Sequence, residues 1–146
     1  MSTKIAETLA REGVQDLLAR PLLARLATCD SKTLQPHVVP VWYMWEQGAV
    51  WISTFRATRK VRELQENPKV SVAVDTDEAG LPVRAVIFEG EAEWVTDHGA
   101  AKEIGGRIYT RYLGPEGVLE AEPQSWLDDE QHLVLKLVPR RVFAWG

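Results

Sequence analysis

Short runs of alternating apolar and polar residues dominate this chain, and turn residues separate the runs. Residues 70–75 alternate between valine and a small or polar residue, which predicts a strand with one buried face. In the longer run 84–95, Gly90 marks a candidate bulge. The predicted strands cover residues 22–29, 35–45, 49–54, 70–75, 84–95, 133–138 and 141–145, with Pro139 breaking the last two apart.

Helical periodicity appears in two segments of the first half. Residues 4–19 place leucine and isoleucine side chains near one face, which predicts an amphipathic helix that Pro21 ends. Residues 58–66 predict a shorter helix that ends before Pro68.

The second half adds one predicted helix between strands. Asp97 is a candidate N-cap for a helix that runs to about residue 113. The segment 114–129 is acidic and rich in turn residues, and we expect it to form an exposed excursion. About six antiparallel strands with peripheral helices predict a mainly β fold, a small β-barrel.

Composition narrows the class of protein. The 146 residues predict one domain over 1–146, and the net charge of −4 argues against nucleic acid as a partner. No stretch approaches the length of a membrane span, and residues 1–7 lack the apolar core of a signal peptide. Cys29 is the only cysteine, so the chain can form no internal disulfide, and we expect a cytoplasmic location.

The start of the short helix carries charges of the unexpected sign. Helix first turns favour acidic residues, because unpaired N–H groups carry partial positive charge there. This one has Arg56, Arg59, Lys60 and Arg62 around Thr58. A bound phosphate would explain the pattern, since N–H groups, a hydroxyl and cations are its usual partners. The alternative explanation is a solvated basic helix face.

Other familiar catalytic and binding motifs are absent. The chain has no glycine-rich phosphate loop and no arrangement of nucleophile, base and acid that its residue order could support. The histidines do not have the spacing of metal ligands; His37 is typical of a pocket rim, and we expect His98 and His132 to be solvated. Catalytic residues therefore stay unidentified, and any chemistry would come from a cofactor.

The region 25–75 combines these signals in one order. Two strands, one containing His37, precede a strand that ends at Thr54; the basic helix start Thr58-Arg59-Lys60 and then Asn67-Pro68 follow. This plan resembles the pyridoxamine 5′-phosphate oxidase-like family, whose members are FMN-binding split barrels. The resemblance implies a six-stranded antiparallel split β-barrel and a homodimer with two cofactor sites at its interface.

The resemblance also implies roles for particular residues. FMN would be held at its phosphate and ribityl end by Ser53, Thr54, Thr58, Arg59 and Lys60. Backbone groups of Val39, Pro40 and Val41 would line the isoalloxazine ring, and Trp145 would stack near it. Ordinary strand and core packing is the alternative explanation for Ser53, Thr54, Val39, Val41 and Trp145.

Three functions remain open at this stage. The first is an FMN-dependent oxidoreductase that acts on a small-molecule substrate. The second is a reductase that uses the deazaflavin F-420, for which Arg56 and Arg62 are candidate ligands of the acidic tail. The third is a flavin- or haem-binding protein without turnover. The alternative to all three is a dimeric barrel whose groove binds no cofactor. Vitamin B6 oxidation is not expected, because the family's substrate-binding Arg and His follow a position equivalent to Gly146.

Overall fold

Seven antiparallel strands form one sheet in the computed structural model, which describes all 146 residues. The strands are β1 (Ala24–Cys29), β2 (Pro36–Val41), β3 (Met44–Glu46), β4 (Ala49–Phe55), β5 (Lys69–Asp75), β6 (Ala85–Val95) and β7 (His132–Trp145). The sheet order is β2-β1-β5-β6-β7-β4-β3. The mainly β prediction is confirmed, with seven strands instead of six. Residues 35–45 divide into β2 and β3, and the predicted segments 133–138 and 141–145 join into the single strand β7.

The sheet curls into a half-barrel that stays open between its two edge strands. β2 and β3 follow each other along the chain, yet they lie at opposite ends of the strand order and do not pair. Twenty buried side chains fill the concave side, among them Leu26, Phe88 and Leu137. Pro36 and Pro40 lie on β2, where an edge strand tolerates residues that donate no hydrogen bond.

Five helices surround the sheet: α1 (Thr3–Leu9), α2 (Val14–Ala19), α3 (Arg59–Glu66), α4 (His98–Gly117) and α5 (Ala121–Asp128). The predictions of α3 and of the Asp97 cap are confirmed; the Asp97 carboxylate accepts a hydrogen bond from the Ala100 N–H at 2.9 Å. None of the helices combines the length and apolarity needed to cross a membrane.

The prediction of one helix over residues 4–19 is wrong. The helix breaks at Gly13, whose φ of +88° is left-handed, and α2 begins at the next residue. Gly13 also packs closely on the loop before β6, since a Cβ there would lie 2.6 Å from Cγ of Pro82. The break therefore depends on a contact with a distant part of the chain.

The prediction of an exposed excursion over residues 114–129 is also wrong. Gly114 interrupts α4 with a φ of +81°, and α5 then packs back against α4. Leu127 of α5 is buried in a second core cluster with Ile108 and Tyr109 of α4. Burial of these apolar side chains outweighs the polar, turn-rich composition of the segment.

The predicted break at Pro139 does not occur, because β7 continues through it. The register passes from Glu89 opposite Arg141 to Gly90 opposite Pro139, so Arg140 has no partner on β6. The irregularity predicted at Gly90 is confirmed, although the extra residue lies on β7. Pro139 is accommodated because it lies beside this irregularity in the ladder.

We predict that Gly13→Ala lowers the free energy of unfolding by about 1–3 kcal/mol, through the left-handed φ and the contact with Pro82. Gly80→Ala is the matched control, since Gly80 has a φ of +85° but nothing within 4 Å of its Cβ position. The two unfolding free energies are measured by urea titration. Equal losses would show that the Pro82 contact contributes nothing.

Candidate functional site

The first turn of α3 has no side-chain cap. Thr58 occupies the N-cap position, but its hydroxyl donates to the Phe55 carbonyl at 2.9 Å instead of accepting from the helix. No acidic residue lies in the first turn. The N–H groups of this turn therefore keep their partial positive charge, without a protein anion to balance it.

Lys60 adds an uncompensated cation to this helix start. Its side chain is half-buried, no carboxylate lies within 4.0 Å of its ammonium, and burial lowers its pKa from the usual value. Arg56 and Arg62 also form no ion pair, and both are exposed. A bound anion would relieve the cost of keeping Lys60 charged in this position.

Arg59 differs from the other cations because it has a partner on the same helix. Its Nε lies 3.3 Å from Oε1 of Glu63, which is one turn further along α3 and only 9% exposed. The same oxygen accepts from the Thr28 hydroxyl at 3.1 Å and lies 3.0 Å from Nδ1 of His37. Glu63 thus connects α3 to β1 and β2.

The predicted ring-binding residues lie on the edge strand β2. The side chains of Val39 and Val41 turn toward the core, whereas Pro40 and Val38 point outward. Because β2 pairs only with β1, the backbone groups on its other side are free of sheet partners. His37 lies two residues before Val39 on the same face, so its contact with Glu63 brings β2 and α3 together.

Ser53 and Thr54 point to opposite faces of β4. Ser53 Oγ lies 2.7 Å from the Tyr109 hydroxyl and 2.8 Å from Nε2 of His132. Its hydrogen-bonding capacity is therefore already used by packed side chains. Thr54 is 2% exposed, and its Oγ1 is buried without a hydrogen-bond partner. The structure therefore does not bring the two hydroxyls together, and Thr54 is the one with unused hydrogen-bonding capacity.

Trp145 lies on the convex face of the sheet and is 51% exposed, so it does not pack inside the barrel. In register, Pro40, Arg25, Ala73, Ile87 and Phe143 form one row across five strands of this face. The pair Ala85 and Trp145 begins the next row. We call this surface the convex patch and define it by the apolar residues Val38, Pro40, Ala27, Ala73, Ala85, Ile87, Phe143 and Trp145. Arg25 lies among them and is paired with Asp75 at 2.6 Å.

The aromatic residues near α4 and α5 pack against one another. Trp42 stacks on Tyr112 with ring centroids 4.7 Å apart, and it meets the edges of Tyr109 and Trp126. The Tyr112 hydroxyl also donates to the Leu22 carbonyl at 2.7 Å. Helix packing therefore accounts for the two tyrosines.

Sequence reasoning missed Glu63 and placed His132 in solvent. His132 is in fact 3% exposed, because α4 and β4 cover it. The spacing of Arg59 and Glu63 by four residues is a local signal for an ion pair. No local signal marks the burial of either residue, which results from packing between distant segments. His98 is exposed, as predicted.

A curled antiparallel half-barrel with a cationic, uncapped helix start is the architecture of a cofactor-binding split barrel. The family model described as pyridoxamine 5′-phosphate oxidase matches residues 10–146. The chain therefore belongs to the pyridoxamine 5′-phosphate oxidase family, whose members bind flavin-type cofactors and are typically dimeric. No curated protein sequence matches the chain.

Solved structures with the same fold carry the names of proteins with different functions. An F420 reductase superposes with a TM-score of 0.73 at 23% identity, covering 92% of this chain and 98% of its own. A conserved hypothetical protein from Mycobacterium tuberculosis gives 0.76 at 26% identity, covering 99% and 90%. The haem storage protein HutZ from Vibrio cholerae gives 0.71 at 19% identity, covering 91% and 92%.

We predict that stability falls as the pH drops below about 6.5, because burial lowers the pKa of His132 from its usual value. The unfolded chain then binds a proton that the folded chain does not, so this contribution is complete above the unfolded pKa and shrinks below it. Urea midpoints at pH 7.5 and 5.5 measure the effect. His132→Gln should reduce the difference between the two midpoints. His98→Gln should reduce it less, because the charge of His98 is a smaller cause of the lowered His132 pKa than burial is. An unchanged difference in His132→Gln would contradict the assignment.

Proposed function

We propose that this protein is an FMN-dependent oxidoreductase that holds the cofactor phosphate at the start of α3. The observation that carries the proposal is the half-buried Lys60, which has no carboxylate partner and adjoins an uncapped first turn. A phosphate there would accept hydrogen bonds from backbone N–H groups and pair with Lys60 and Arg59. Thr58 would contribute as the N-cap residue, at the point where the helix and its free N–H groups begin.

The remaining residues fit a planar cofactor that extends from this phosphate site. The orphaned hydroxyl of Thr54 lies at the end of β4, shortly before α3, and supplies a hydrogen bond for a ribityl or phosphate oxygen. Ring recognition would use the free backbone edge of β2 at Val39, Pro40 and Val41. Ser53 would act indirectly, by anchoring β4 to α4 through Tyr109.

A second copy of the chain would cover the convex patch. Val38, Phe143 and Trp145 are 63%, 43% and 51% exposed, whereas single exposed side chains of this size are normally scattered. Ala27, Ala73 and Ala85 contribute small side chains to the patch, and the charge of Arg25 among them is neutralised by Asp75. A homodimer formed here would bury Trp145 at the interface, where it could reach the partner's cofactor.

The chemistry fits a cofactor enzyme. When bound, a flavin supplies hydride transfer at its ring, and no nucleophile of the protein is needed. The residues of this chain would bind the phosphate, orient the ring along β2 and exclude water from one ring face. The substrate would be a small molecule at the opposite ring face.

The deazaflavin F-420 is the second candidate cofactor. Arg56 and Arg62 flank the helix start and form no ion pair, so they are available to an acidic tail beyond the phosphate. Haem is a further candidate ligand: His132 is buried with its Nε2 against Ser53, whereas His37 is held at Nδ1 by Glu63 and keeps its Nε2 available as an axial ligand. The non-catalytic alternative is a protein that binds a flavin without turning over a substrate.

We predict that stripped protein binds FMN and that Arg59→Ala with Lys60→Ala weakens this binding about a hundredfold. Riboflavin, which lacks the phosphate, should bind the wild type and the double variant alike. Lys4→Ala, on the exposed side of α1, is the control. Titrations followed by flavin fluorescence and by melting temperature, with F-420 in parallel, measure these affinities. Failure to bind either cofactor would refute the proposal, and selective binding of F-420 would replace FMN with the deazaflavin.

We predict that Ala73→Arg converts the proposed dimer into monomers, because a long guanidinium side chain between Arg25 and Ile87 would keep the two sheets apart and add an unpaired charge. Sedimentation velocity measures the oligomeric state. The control is Ala10→Arg, which adds the same side chain to an exposed position after α1. Dimers that survive Ala73→Arg would place the interface elsewhere.

A further inference from the structure

The two oxygens of the buried Glu63 carboxylate differ in their number of partners. Its Oε1 receives hydrogen bonds from Thr28 and His37 and contacts Arg59, whereas its Oε2 has no partner. Since a carboxylate only accepts, the Nδ1 of His37 carries the proton in this contact. Two hydrogen bonds and one ion pair on one oxygen fix the orientation of the carboxylate within the fold.

Arg59 meets this carboxylate in a particular way. The nearest approach of Glu63 is to Nε, at 3.3 Å from Oε1, and no hydrogen bond joins either terminal nitrogen to an acidic group. The side chain remains half exposed. The planar fork of a guanidinium has five N–H groups in fixed directions, so a partner held at Nε also determines where the terminal pair points.

We propose that Glu63 is a positioning residue, which holds Arg59 at Nε so that its two terminal nitrogens face the phosphate of the bound cofactor. The inference rests on the proposed function, since it assigns the phosphate to the start of α3. Thr28 and His37 complete the arrangement, because they fix Glu63 to β1 and β2. The same contacts set the distance between the phosphate end and the strand that would bind the ring.

If Glu63 acted through its charge alone, it would weaken phosphate binding instead of supporting it. A negative charge near a phosphate repels it, so removing the charge should tighten binding if Glu63 has no positioning role. Loss of positioning should weaken binding, because a mobile Arg59 must be ordered when the phosphate binds. The sign of the change therefore separates the two explanations.

The test compares Glu63→Ala and Glu63→Gln with Glu66→Gln in dissociation constants for FMN and riboflavin. Glu66 lines the same polar pocket of about 300 Å³ as Arg59 and Glu63, but it bonds to Ser31 and leaves Arg59 untouched. We expect Glu63→Ala to weaken FMN binding about tenfold, with riboflavin changed less than about twofold. Glu63→Gln keeps the size and an acceptor oxygen, and it should fall between Glu63→Ala and the wild type. Tighter FMN binding by either variant would overturn the proposal.

A double-mutant cycle tests whether Glu63 acts through Arg59. In the Arg59→Ala background, Glu63→Gln should no longer weaken FMN binding, because no guanidinium remains to be positioned. Equal weakening in both backgrounds would overturn the role. Riboflavin binding again serves as the control for a general disturbance of the site.

A readout without any cofactor completes the test. In NMR spectra of the ligand-free protein, the Nε–H of Arg59 should exchange slowly with water, and Glu63→Gln should accelerate that exchange while Glu66→Gln does not. If the wild type binds neither FMN nor F-420, the proposed function fails. Slow exchange, together with inorganic phosphate shifting the Arg59 signals in the wild type and not in Glu63→Gln, would then still support the positioning role. Fast exchange in the wild type would overturn it.

Discussion

The irregular pairing of β6 with β7 is the constraint on which the rest of the structure depends. These are the longest strands, and they join β2-β1-β5 on one side to β4-β3 on the other. The unpaired Arg140 shifts the alternation of β7, so that Leu137 and Val142 both face the core although they are an odd number of positions, five, apart along the strand. One core can therefore serve both halves of the sheet.

The two halves of the sheet consequently have different convex surfaces. α4 lies against β4 and β7, and it encloses Ser53, Tyr109 and His132 in a buried polar chain. The other half has no helix over its convex side and keeps the apolar side chains of the convex patch exposed. The patch and the free edge of β2 adjoin each other, which is consistent with the proposed cofactor site at a dimer interface.

Charge is concentrated where the half-barrel meets α3. A helix start with cations in its first turn and no cap is unfavourable in isolation. The fold offsets part of that cost through Glu63, which pairs with Arg59, but it leaves Lys60 without an acidic partner. Arg59 is therefore held in place by an acidic partner, whereas Lys60 keeps an unpaired charge that a bound anion would neutralise.

Local sequence determined much of the fold and the cationic half of the site. The alternation of residues 70–75 and the periodicity of α3 each act through neighbours in the chain, so they could be interpreted without the structure. The break at Gly13, the docking of α5, the burial of His132 and the role of Glu63 could not. Glu63 meets Thr28 and His37 across 35 and 26 residues, and Gly13 meets Pro82 from another part of the fold. Such contacts exist only after the chain has folded, because burial and polar pairing between distant segments depend on tertiary packing, which local periodicity does not encode.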